Sequence, residues 1–272
     1  MNLNNPQHPL YQALRANDVE ALHSLLQSNN LRMNKFLPNI FKAAAESGAG
    51  DGAVLVYERL SSFITFGPDK VKAIFDAALE FNNGVFFRKF FETFRLQIKS
   101  SDIQKFFNYG LKHGNADIVC ETADHIYSAF FLTRFAHALK TESGRHCVLE
   151  YFNQELQNYR SDRSNRFALF LNDVLRKPNA AQSVVVLLSD TRHFNTRWEI
   201  FFNHLTEKTR PYLDAVAANV DPQALIEAVH TYQAKYSNPQ SRYLEPWLTQ
   251  QCKERILNHI DSSKPTLAKR KM

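Results

Sequence analysis

The chain has 272 residues, 44% hydrophobic and 22% charged, with a net charge of +6. That balance excludes an intrinsically disordered chain. No run approaches the roughly 18 uncharged apolar residues that a helical membrane span needs, and the polar stretch Met1 to His8 predicts no cleaved signal peptide.

Three cysteines, Cys120, Cys147 and Cys252, are far apart and lack CxxC spacing. They fit buried thiols in a reducing, cytoplasmic compartment. Residues 1–80 carry 7 basic and 8 acidic groups, residues 81–180 carry 14 and 10, and residues 181–272 carry 12 and 9. The positive excess therefore lies in the last two thirds, which permits an acidic partner without requiring one. Phenylalanine is abundant, at 22 residues against 8 glycines.

Six segments in succession show one pattern: an apolar helical stretch, a polar break, and a second apolar helical stretch. The first has Pro9 to Leu14, a break at Ala16-Asn17-Asp18, and Val19 to Leu26. The second has Phe41, Ala44 and Ala45, a break from Gly48 to Gly52, and Val54 to Leu60. The third has Val71, Ile74, Phe75, Ala78 and Leu79, a break at Asn82-Asn83-Gly84, and Phe87, Phe90, Phe91 and Phe94. The fourth has Ile103 to Leu111, a break at His113-Gly114-Asn115, and Ile118, Val119 and Ile126. The fifth has Leu132 to Leu139, a break at Ser143-Gly144, and Val148, Tyr151 and Phe152. The sixth has Phe167 to Leu175, a break at Pro178-Asn179, and Val184 to Leu188, whose three β-branched residues equally suit a buried strand.

With Leu14, Ala45, Leu79, Leu111, Leu139 and Leu175 taken as equivalent, the steps are 31, 34, 32, 28 and 36 residues. Val71, Ile74, Phe75, Ala78 and Leu79 fall on one helical face, as do Phe87, Phe90, Phe91 and Phe94. Each pair carries an apolar stripe that it cannot cover alone, so stacking on its neighbours buries it. The phenylalanine stripes read as core between repeats, not as a lipid or cofactor pocket.

Beyond Asn195 the period fades. Trp198, Ile200, Phe201 and Leu205 suggest one helix. Asp221-Pro222 opens another, with aspartate as N-cap and proline at the first helical position, ending near Tyr236. A last helix is expected from about Arg242 to Ile260, followed by a disordered basic tail, 261–272.

Pro9-Leu10-Tyr11-Gln12-Ala13-Leu14 followed by Val19 to Leu26 resembles an ankyrin repeat, whose opening pattern is Thr-Pro-Leu-His-x-Ala-Ala. Lys112-His113-Gly114-Asn115-Ala116-Asp117-Ile118-Val119 is similar to the segment that opens the second helix of that family, and the family period of about 33 residues is close to the steps found here. The Thr-Pro-Leu-His tetrapeptide is complete in no repeat, most hairpin glycines are missing, and phenylalanine replaces smaller core residues. A generic helix-pair solenoid of the TPR or HEAT kind stays open beside it. The expected fold is an all-α solenoid of ankyrin-like pairs over 8–190, with a helical cap or subdomain over 194–260.

For chemistry, the phosphate-loop, dinucleotide, zinc-protease, nucleophile-elbow and EF-hand signatures are all missing from the sequence. His113, Asp117, Cys120, Glu121, Asp124 and His125 form the densest group. Asp117/Glu121 and Glu121/His125 are i,i+4 pairs that suit a metal, and Cys120 with a histidine suits a nucleophile pair. The same residues also suit the exposed face of a repeat helix. The other histidines lack ligand spacing. No cofactor is expected.

Arg160, Arg163 and Arg166, with Arg176, Lys177, Arg192 and Arg197 nearby, are the most distinctive charged feature, and Arg160, Arg163, Arg166, Arg192 and Arg197 are the candidate partner-binding residues. The resemblance implies a non-enzymatic module that binds a partner protein on a concave face, as an adaptor, an inhibitor, or an effector of the kind that intracellular bacteria export into a host cytosol. Nucleic-acid or other polyanion binding through the basic patch, and an enzyme with an unrecognised site, are the alternatives.

Overall fold

A computed structural model describes residues 5–27, 36–48, 50–61, 65–157, 166–177, 180–206, 209–237, 242 and 244–250. Among these residues the secondary structure is helical, with no strand. By its internal contacts the chain divides into a first unit ending at Tyr151 and a second beginning at Phe152. The boundary near residue 190 expected from the sequence lies inside the second unit.

The first unit contains α1 (Pro9–Arg15), α2 (Val19–Gln27), α3 (Leu37–Ala45), α4 (Asp51–Ser61), α5 (Pro68–Glu80), α6 (Gly84–Phe94), α7 (Ser100–His113), α8 (Ala116–Ala123) and α9 (Ser128–Ala138). The division falls within α10 (Glu142–Gln157). Proline occupies the first turn of α1, α3 and α5, where its missing N–H costs nothing. Each helix packs on its hairpin partner, α1 on α2, α3 on α4, α5 on α6 and α7 on α8. Helices two apart also pack, with α1 on α3, α3 on α5, α7 on α9, α2 on α4 and α6 on α8.

Three of the breaks within pairs are built alike. Asn17, Asn82 and Gly114 take the left-handed conformation, with φ of 51°, 48° and 72°. The next amide N–H closes back on the helix, from Asp18 to Ala13 O at 2.9 Å, from Asn83 to Ala78 O at 2.8 Å and from Asn115 to Gly110 O at 2.9 Å. This is the Schellman ending, which satisfies carbonyls that the helix leaves open. The residue that closes one helix then caps the following one. Oδ1 of Asp18, Asn83 and Asn115 accepts from the N–H of Ala21, Phe86 and Ile118.

The caps also reach the neighbouring pair. Nδ2 of Asn83 donates to Ala45 O at 2.6 Å, 38 residues back, and Nδ2 of Asn115 donates to Asn82 O at 2.8 Å, 33 residues back. Asn17 Oδ1 accepts from the Gly52 N–H at 2.9 Å, 35 residues on. Each turn is thereby tied to the turn one pair away.

The phenylalanine stripe of α6 is interior, as its spacing predicts. Phe86, Phe87, Phe90, Phe91 and Phe94 are all buried. Ring contacts carry several steps between pairs: Phe41 meets Phe90 with centroids 5.8 Å apart, Phe75 meets Phe106 at 5.3 Å, and Phe107 meets Phe135 at 5.5 Å. Such offset and edge-on pairs add about 0.5–1.5 kcal/mol each beyond their buried area.

One sequence-derived break is misplaced. Ser143 and Gly144 belong to the first turn of α10, which Thr141 caps through its Oγ1. Gly144 serves close approach: a Cβ there would fall 2.3 Å from the Ala138 carbonyl oxygen. The chain turns instead at Leu139 to Thr141.

The second unit holds α11 (Arg166–Leu175), α12 (Ala181–Leu188), α13 (Phe194–Asn203), α14 (Arg210–Ala217) and α15 (Pro222–Lys235), and residues 244–250 are helical. The β-branched run Val184-Val185-Val186 is α12, so its strand alternative falls. It packs as a helix against α11, α13 and α14. Asp221 caps α15, accepting from the Ala224 N–H at 2.8 Å, as its sequence signal predicts. α14 is a helix that the sequence pattern does not reveal. The alternation of packing continues through this unit, with α11 on α13, α12 on α14 and α13 on α15. Hydrogen bonds one step apart continue as well: Lys235 Nζ to Glu199 over 36 residues, Tyr232 Oη to Asn203 over 29, and Trp247 Nε1 to Asp214 over 33. The expected helix end at 251–260, Cys252 and the tail 261–272 lie outside the described residues.

Candidate interaction face on the first helices

The residues that follow Leu14, Ala45 and Leu79 are charged in each of the first three pairs: Arg15, Glu46 and Glu80. On α3, Leu37, Ile40, Phe41 and Ala44 are buried in the core. Asn39, Lys42, Ala43 and Glu46 recur at i, i+3, i+4 and i+7, so they form a second stripe along the same helix. Tyr11 and Arg15 make the equivalent i,i+4 pair on α1, and Glu80 and Phe81 end α5.

These residues line one crevice of about 290 Å³, together with Pro6. Arg15 pairs with Glu46 across α1 and α3, and its Nη1 donates to Pro6 O at 3.0 Å. Lys42 pairs with Glu80 across α3 and α5 at 2.7 Å. All four charged side chains remain partly exposed. Tyr11 is buried with its ring in the floor. Burial pushes its phenol above the ordinary tyrosine value, against the opposing hydrogen bond to Asn39 and the charge of Arg15. The crevice therefore crosses three successive first helices, has an apolar floor and is edged by two neutralised ion pairs.

The described members of the arginine group expected to bind a partner differ in their surroundings. Arg160 and Arg163 lie outside the described residues. Arg166 is half-buried at the start of α11, and Arg192 is exposed and paired with Asp190 at 3.1 Å. Arg197 is turned inward and has no exposed surface. Its Nη1 donates to Leu187 O at 2.8 Å, Nη2 to Asn153 Oδ1 at 2.8 Å and Nε to Arg192 O at 3.1 Å, with the guanidinium 5.0 Å from the Phe167 ring centre. Its place as a partner-binding residue is corrected accordingly: Arg197 is an internal strut that joins α10, α12 and α13 within the second unit.

Burial lowers the Arg197 pKa to about 10, with Asp190 opposing the shift, and the group stays charged at neutral pH. Asp190, 3.9 Å from Arg197, is almost covered. Burial alone would raise its carboxyl, but hydrogen bonds from Arg192, the charge of Arg197 and the Asn153 amide bring it below the ordinary value.

The group from His113 to His125 disperses into separate contacts. Asp117 and Glu121 do share one side of α8, as their spacing predicts, but both meet Arg88 of α6. Asp124 accepts from Tyr151 Oη at 3.0 Å. His125 lies against Phe91 with ring centres 5.5 Å apart, and His113 stacks on Tyr109 at 4.2 Å. Burial, helped by Glu150 and Asp117, pushes the Cys120 thiol up to about 12, the opposite of what a nucleophile needs. Among the described residues no group of three or more His, Cys, Asp or Glu side chains could hold a metal ion, and no helix is long and apolar enough to cross a membrane.

No family model, curated protein or solved structure matches the chain.

Proposed function

We propose that the chain is a protein-interaction module of stacked, ankyrin-like helix pairs, which binds a partner protein on the face formed by its first helices. The observation that carries this reading is the crevice across α1, α3 and α5, lined by residues of three consecutive pairs, among them the equivalent positions Arg15, Glu46 and Glu80. Helix-pair arrays bind through surfaces repeated in this way. Turns tied to one another at one-pair intervals support it further, since they hold neighbouring first helices in fixed register. Free thiols at Cys120 and Cys147 fit a reducing compartment, the cytosol of the source cell or of a host. Adaptor, inhibitor and exported effector are the roles that the ankyrin resemblance implies.

A charge swap tests the face without breaking its pairing. Arg15→Glu with Glu46→Arg inverts the charges at the crevice edge while preserving an ion pair of the exposed kind, worth about 0–1 kcal/mol. Quantitative affinity purification from source and host lysates is expected to show at least a tenfold loss of the captured partner, with the helical spectrum and melting midpoint nearly unchanged. Undiminished capture of the same partner by the swapped protein would remove the first-helix face from the reading.

A further inference from the structure

The crevice has a size, a lining and a charge state that together restrict what can enter it. Its volume of about 290 Å³ is at the lower limit of sites that take whole small molecules, about 300–1,000 Å³. Such a space suits one bulky side chain from a larger partner. The lining combines the Tyr11 ring, Ala43, Pro6 and Phe81, which is 37% exposed, so an apolar body finds apolar contacts.

Charge decides between the two kinds of side chain that most often anchor an interface, aromatic rings and arginine. Arg15 already holds Glu46 and the Pro6 carbonyl, and Lys42 already holds Glu80. A cationic guest would have to compete with Arg15 or Lys42 for its carboxylate, and an anionic guest with Glu46 or Glu80 for its cation. A neutral ring breaks neither pair. Seated on the apolar floor, it leaves the half-exposed pairs in water and avoids the desolvation that covering them would cost. An aromatic side chain further loses only two rotatable angles on docking.

We infer that this crevice receives an uncharged aromatic side chain, tyrosine or tryptophan, presented by the protein partner; the inference rests on the partner-binding reading above. Asn39, which holds the Tyr11 hydroxyl and lines the same crevice, is a neutral polar group that can hydrogen-bond such a ring's hydroxyl or indole N–H.

The test uses the full chain and four free probes: N-acetyltyrosinamide, N-acetyltryptophanamide, N-acetylargininamide and N-acetylaspartamide. Nuclear magnetic resonance follows the Ala43 methyl and the Phe81 ring. Saturable shifts are expected with the two aromatic amides, with Kd on the order of millimolar as befits one anchor, and weaker or no shifts with the charged ones. Phe81→Ala removes one wall at a half-exposed position and is expected to weaken the aromatic amides about threefold, whereas Lys72→Ala, on an exposed pair of α5, leaves them unchanged. The inference is overturned if the arginine amide binds more tightly than both aromatic amides, or if neither aromatic amide shifts these signals. Because the probes need no partner, that outcome is independent of partner capture by the charge-swapped protein, and the two failures remain distinct.

Discussion

Arg197 shows how one side chain can be charged and desolvated with donors on each arm still met. Three of its donors end on Leu187 O, Arg192 O and Asn153 Oδ1, and Phe167 supplies a ring face. Removing one partner of such a network strands the rest, because Asp190 would lose a neighbouring cation while almost covered. Arg197→Ala is expected to cost about 3–5 kcal/mol in urea unfolding, and Arg197→Lys to rescue little, since an ammonium cannot span three diverging acceptors. A loss under 1 kcal/mol would deny the strut its role. Asp190 adds a pH signature. Its folded pKa lies below the ordinary 3.8, so its contribution is complete above that value and fades as pH falls through the depressed one. The acid limb of a stability-pH curve should therefore flatten in Asp190→Asn. Nothing in the sequence distinguishes Arg197 from its exposed neighbours, because a run of arginines gives no sign of which one turns inward.

At the scale of the element, the turns inside the first, third and fourth pairs are where sequence and structure agree most closely. Asn17-Asp18, Asn82-Asn83 and Gly114-Asn115 are legible because left-handed residues and N-caps belong to a short list of residue types. Their second role, the bond to the adjoining pair, is not legible, since it depends on backbone atoms 33–38 residues away. The two roles can be separated. Asn115→Asp keeps the oxygen that caps α8 but exchanges the Nδ2 donor for an oxygen facing Asn82 O, whereas Asn115→Ala loses both. Thermal unfolding should show the aspartate variant destabilised despite its intact cap, by about 1–2 kcal/mol. Equality with the parent would mean that the bond between turns carries no energy. Gly144 teaches the opposite lesson: a glycine that reads as a break proves to be the point where α10 approaches the Ala138 backbone. α14 escapes notice because Arg210, Pro211 and Asp214 interrupt an eight-residue helix whose buried stripe is only Leu213, Val216 and Ala217.

For the whole molecule, six helix pairs are readable in the apolar periodicity because burial of a stripe leaves its spacing in the sequence. The crevice is not readable, because its lining comes from three helices and its ion pairs, Arg15 with Glu46 and Lys42 with Glu80, look like ordinary solvated charges. The first unit is compact through Tyr151. A fragment of residues 1–157, ending with α10, is therefore expected to keep its helical spectrum and unfold in a single cooperative transition; a gradual, non-cooperative melt would show that it needs the remainder of the chain. The bonds between neighbouring turns carry one more consequence. Three breaks within pairs share one backbone shape, and the bonds from Asn17, Asn83 and Asn115 tie turns of adjoining pairs, whereas the second helices run from 8 residues in α8 to 16 in α10. Lineages of this protein should accordingly gain and lose residues in the second helices and keep these three tied turns constant in length.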